Sequence, residues 1–148
     1  MTDAVAEIND CKFLSLMDIQ ELDHNALQIV VTEGLAAGSK KSIEVGDITI
    51  PDCTPIEPTD SSRTFEIVWE NYVGYAVLNE SYASVSDEET HEGSRIRIYS
   101  KSRFIEYMSR ATFAGEAYPG PTRHYCVACE NHILEVLSVG SPIVRRVR

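Results

Sequence analysis

Apolar and polar residues alternate with a period of two through much of this chain, and the alternation stops at glycine, proline and short polar clusters. Leu27, Ile29 and Val31 alternate with Gln28 and Thr32, which predicts a strand with one buried face. The apolar residues between Phe13 and Leu22 spread all round a helical wheel, which disfavours an amphipathic helix there. Asp23-His24-Asn25 supplies turn chemistry, so the two segments read together as a hairpin. Ile43 and Val45 share one parity while Ile48 and Ile50 share the other. Gly46, between them, therefore marks a bulge or a tight turn. Pro51, Pro55 and Pro58 remove backbone donors that a central strand needs, so 51–62 reads as a loop.

The best-defined strand face belongs to Phe65, Ile67 and Trp69, opposite Glu66 and Glu70. A second extended segment runs from Tyr72 to Tyr82, and the polar stretch from Ser84 to Ser94 reads as a solvated connection. Ile96 and Ile98 predict another strand with Arg95 and Arg97 outward. In an antiparallel sheet that basic pair is expected across from Glu66 and Glu70, worth roughly 0.2–1 kcal/mol per pair. The only predicted helix spans about residues 102–114. Ser102 offers an N-cap, and Phe104, Ile105, Met108 and Thr112 form one stripe. Glu106 and Arg110 support it at i,i+4, and Gly115 offers a stop. Tyr125 to Val139 reads as a hairpin turning at Asn131-His132, and 143–148 as a short basic tail. These elements predict an α+β fold, mainly antiparallel β: a sandwich or open barrel of short strands with one packed helix.

Length and composition place the 148 residues in one ordinary domain, with 43% apolar residues. The opening residues lack a basic stretch followed by an apolar run. The expectation is a cytoplasmic protein whose Cys11, Cys53, Cys126 and Cys129 stay thiols. Charge is laid down unevenly. Residues 1–94 carry 19 acidic against four basic residues, a net −15, while residues 95–148 carry nine basic against four acidic, a net +5. An overall charge of −10 argues against nucleic acid or an anionic membrane as partner; it permits a basic protein partner, and it equally serves solubility through self-repulsion. The opposite signs of the two parts are also compatible with a homodimer.

Candidate chemistry is sparse. His124, Cys126, Cys129 and His132 are zinc-ligand types within nine residues. Cys126 and Cys129, however, differ by an odd number and point to opposite faces of a strand, so no metal site and no cofactor is expected. Asp87, Glu88, Glu89, His91 and Glu92 do not match a calcium loop and read as a solvated tip. Cys53 lies in a loop, where a nucleophilic role needs a base brought by the fold. Trp69, Tyr72, Tyr75 and Tyr82, with Asn79, Glu80 and His124, form the candidate ligand-binding set, since aromatics of both parities cannot all face one core. In that set Glu80 is the candidate general base if buried. No phosphate loop, nucleophile elbow or helical His-Glu-x-x-His pattern is present. The leading expectation is a non-catalytic interaction protein that recognises a basic partner. The alternative is a small-molecule binder or enzyme with a pocket around Tyr72–Tyr82.

Overall fold

A computed structural model describes residues 3–148. A short helix, α1 (Asp3–Asp10), precedes β1 (Phe13–Leu22), and a turn at Asp23–Asn25 returns the chain as β2 (Ala26–Ala36). There follow β3 (Lys41–Val45), β4 (Ile48–Cys53), β5 (Ile56–Glu57), β6 (Thr64–Trp69) and β7 (Tyr72–Asn79). The chain continues through β8 (Thr90–Glu92), β9 (Ile96–Lys101), α2 (Arg103–Ala111), β10 (Arg123–Ala128), β11 (His132–Ser138) and β12 (Ile143–Arg146). One sheet has the order β1-β2-β6-β12 with β5 also on β2, and a second has the order β7-β11-β10-β9-β8. Every pairing between these strands is antiparallel, and both sheets remain open.

The inner faces of the two sheets share one core. On the first sheet, rows of cross-strand neighbours run Leu16–Val31–Phe65 and Ile19–Ile29–Ile67–Val144. On the second they run Tyr75–Val136–Tyr125–Ile98 and Val77–Leu134–Val127–Ile96. Trp69 of the first sheet meets Tyr125 of the second, ring centroids 6.2 Å apart. Strand β1 changes the parity of its inward residues from Leu16 to Ile19 because a bulge intervenes between Leu16 and Asp18. That bulge is why its apolar residues looked scattered. Asn131, in the β10–β11 turn, then bonds both the N–H and the carbonyl of Leu16, at 3.1 and 3.3 Å, and closes the sandwich over this edge.

Several expectations change. A second helix exists: α1 buries Ile8, and its Asn9 Oδ1 accepts the backbone N–H groups of Ser94, Arg95 and Ile96. The residues after Ser84 are not all loop, since Thr90–Glu92 pairs with β9. The proline-rich stretch begins inside β4 and contains β5, both lying at sheet margins where a missing donor is tolerated. The basic tail is largely strand β12, paired with β6. Arg95 and Arg97 therefore do not face Glu66 and Glu70. Arg145 stands opposite Glu66 and pairs with it, because β12 rather than β9 borders β6. Helix α2 begins at its expected cap, Ser102 Oγ accepting Ile105 N–H at 3.0 Å, and ends at Ala111 rather than near Gly115.

At one end of the core Glu33 is held by Arg63 through two bonds, Nε to Oε2 at 2.9 Å and Nη2 to Oε1 at 2.7 Å. The guanidinium holds the Glu33 carboxyl below the usual carboxylate range, while burial pushes the neighbouring Cys11 thiol up to about 11. A depressed folded pKa adds stability that is complete above the unfolded value and is lost as pH falls through the folded one. Glu33→Gln should cost about 2 kcal/mol at neutral pH, by weakening bonds to a charged group. In urea titrations at pH 7 and pH 3, that difference should shrink at the acid end. A constant difference would assign the loss to packing.

Candidate functional sites

The outer face of the second sheet is not uniformly solvated. One row across it reads Gly74–Leu137–His124–Tyr99–His91, the next Ala76–Glu135–Cys126–Arg97, and a third Leu78–Ile133–Ala128. Helix α2 covers the first row from Gly74 to His124. Gly74 permits this approach, for a Cβ there would collide with the terminal methyl of buried Met108. Where α2 ends its cover, a groove of about 500 Å³ remains over the second row. Its floor is Arg97, Tyr99, Cys126, Ile133 and Glu135. Phe104 and Tyr107 of α2 form one wall, and the segment from Glu80 to Val85 forms the other.

A hydrogen-bonded chain runs beneath one side of this groove. Ser102 Oγ lies 2.8 Å from His124 Nδ1, and His124 Nε2 lies 2.5 Å from Glu135 Oε2. Ser102 Oγ already accepts from Ile105, so its own proton is available to Nδ1, and the Nε2–H tautomer then donates to Glu135. The imidazole, 1% exposed, is stacked on Tyr99 at 4.6 Å and tilted against Phe104 at 5.0 Å. Burying a polar ring between aromatics is tolerable only when both nitrogens are bonded. The chain thus fixes helix, ring and carboxylate together. Burial pushes the thiols of Cys126 and Cys129 up, Cys129 to about 12, and raises Tyr99 as well. Neither thiol carries the low pKa of a nucleophile.

The sequence candidates divide. Glu80 and Tyr82 line the groove, and His124 supports its floor from beneath. Asn79 lies at the groove's end, where its side chain accepts Ser81 N–H at 3.0 Å. Trp69 is fully buried, and its indole N–H has no acceptor among the described residues. Tyr72 and Tyr75 pack edge to face at 5.2 Å against the core, and the bond of Tyr72 to Glu21 lifts the phenol to about 12. The three aromatics at 69, 72 and 75 are therefore apart from the groove. Glu135 and Arg97 enter it although neither belongs to the candidate set, Arg97 being expected only as an outward ion-pair partner. Their only sequence signal is outward parity on strands flanking Cys126. Among the described residues no three His, Cys, Asp or Glu side chains converge to hold a metal.

No family model, curated protein or solved structure matches this chain. The geometry stands alone as the guide to function.

A second feature lies away from the groove. Strands β3 and β4 pair only with each other among the described residues, forming an arm that leaves β2 and returns to it at β5. Gly46 takes φ +63° at the first position of the two-residue turn Gly46-Asp47, which suits a type II′ hairpin. Ile43 stands opposite Ile50 and Val45 opposite Ile48, so all four aliphatics share one face. They are 47%, 45%, 58% and 66% exposed respectively. Glu44 and Thr49 are paired on the opposite face.

Thiol chemistry distinguishes the buried cysteines from the arm. Cys53 lies at the end of β4 and is half-buried, whereas Cys11, Cys126 and Cys129 are buried. With Ellman's reagent at about pH 8, Cys53 should react in the native protein and the other three only after unfolding. Prompt labelling of Cys126 would show the groove floor open to solvent well beyond the static structure.

Proposed function

We propose that this protein works by binding another protein rather than by catalysis, with the β3–β4 arm as its main contact. The observation that carries the reading is the half-exposed aliphatic face of Ile43, Val45, Ile48 and Ile50. Exposed apolar clusters rimmed by polar residues mark interaction sites in soluble proteins. Four β-branched side chains on one projecting face form such a cluster. The partner is basic as well as apolar: Asp47 and Asp52 flank the face, Glu44 lies on the arm's other side, Lys41 is the arm's one basic residue, and residues 1–94 carry a net −15. Those same acids oppose the docking of two arms from two copies.

The arm alone offers apolar surface on the order of 300 Å², short of the roughly 800 Å² per partner in a stable complex. The partner therefore also touches acidic surface beyond it, and association is steered by charge.

The test is cross-linking in cells followed by mass spectrometry of the cross-linked peptides, comparing wild type with Val45→Ser/Ile48→Ser. A basic protein joined to residues 41–53 in wild type, and lost in the variant, is the expected result. Rebinding of that purified partner should weaken on the order of a hundredfold in the variant, from two lost aliphatic burials. The melting temperature should stay nearly unchanged. Raising the salt should slow association. Cross-links confined to a second copy of the chain, or a partner retained by the variant, would sink the proposal.

A further inference from the structure

The groove on the second sheet carries opposite charges on its floor that do not neutralise each other. Arg97 and Glu135 project from β9 and β11 to the same side, each directly opposite Cys126 of the intervening β10. Strand spacing puts their Cα atoms about 10 Å apart. No ion pair joins them among the described residues. Arg97 donates Nε–H to the Ser94 carbonyl at 3.2 Å, and Glu135 is drawn toward His124 by the 2.5 Å bond. Cys126, small and buried, leaves the space between them unfilled. The other arginine of the groove, Arg103, is already paired with Glu89 at 3.2 Å and bonded to Ser84.

We propose that this groove binds a free α-amino acid with an apolar side chain. Its ammonium group sits on Glu135, its carboxylate on Arg97, and its side chain lies among Tyr82, Phe104 and Tyr107. An α-amino acid carries an ammonium and a carboxylate on one carbon, so a single ligand offers one charge to each side chain. A ligand with only a negative charge lies beside the like charge of Glu135, and one with only a positive charge beside that of Arg97, so the zwitterion is favoured over both. The Ser102–His124–Glu135 chain pre-orients the carboxylate, which keeps 20% of its side-chain surface exposed toward the groove. The site lies on the second sheet, and the arm leaves and rejoins the first sheet at β2, so the two proposals stand or fall separately.

Calorimetric titration of the full chain tests this with three probes: L-phenylalanine, 2-phenylethylamine, which lacks the carboxylate, and 3-phenylpropanoate, which lacks the ammonium. L-Phenylalanine should bind, and each single-charge analogue at least about tenfold more weakly. Arg97→Gln should weaken L-phenylalanine about tenfold while leaving 2-phenylethylamine as it was. Glu135→Gln should weaken L-phenylalanine and leave 3-phenylpropanoate as it was. Arg97→Gln alone carries the test should Glu135→Gln unfold the protein. Equal affinity for a single-charge analogue, indifference to Arg97→Gln, or no binding of L-phenylalanine up to about 10 mM would overturn the assignment.

Discussion

Both faces of β10 are out of water, and much of the molecule is arranged to make that possible. Its inward residues Tyr125 and Val127 belong to the shared core, while outward His124, Cys126 and Ala128 are buried as well. A strand in that position must be covered from outside, and α2 supplies part of the cover. The requirement has a polar consequence, because His124 falls on the covered face. An unbonded imidazole at 1% exposure would cost about 1–3 kcal/mol. Ser102 and Glu135 remove that penalty. Since Ser102 is also the N-cap of α2, the same hydroxyl starts the helix and locks it to the strand it covers.

The groove is what remains where the helix is too narrow to cover the whole outer face. Its floor continues the buried row of β10 into Cys126, and its charges come from the neighbouring strands, where side chains can still reach water. This explains why a charged pair can persist in a partly apolar hollow. Glu135 is stabilised by its bond to His124 and Arg97 by a backbone carbonyl, so neither depends on the other. The arm has the opposite origin. Among the described residues no second layer covers it, and its aliphatic face stays outside the core because β3 and β4 pair with neither sheet.

Period-two patterning revealed the longer strands with one face on the core and the other toward solvent, as for Phe65, Ile67 and Trp69. The cap at Ser102 was legible because N-capping is local chemistry. What escaped was non-local. The bulge in β1 scrambled the parity of Leu14, Leu16 and Ile19, and only the register with β2 reveals it. The closing basic run was mistaken for a tail because Ile143 and Val144 form a short strand whose place beside β6 depends on sheet order. For the same reason Arg145, not Arg95 or Arg97, became the partner of Glu66. The groove was half legible. Glu80, Tyr82 and His124 lie in sequence near aromatic or cysteine residues, while Arg97 and Glu135 acquire meaning only when three strands are set side by side.

Sheet order also reinterprets the uneven charge. The basic residues of the closing segment are consumed internally: Arg145 by Glu66, Arg146 by Glu7 at 2.8 Å, and Arg148 by the carbonyls of Ser62 and Thr59. Arg95 serves the carbonyls of Cys11 and Lys12, and Arg103 serves Glu89. These cations hold the last strand, the first helix and the long connection against the body. The acids of the arm, Glu44, Asp47 and Asp52, have no such partners in the ion pairs among the described residues. The chain's negative field is therefore expressed next to an exposed aliphatic face. A projecting hairpin with an unpaired edge and an apolar side invites indiscriminate strand addition, and charge at its margins restrains it. On the proposed function, these acids serve two ends with one arrangement: they repel other copies of the arm, and they select a partner that brings positive charge to it.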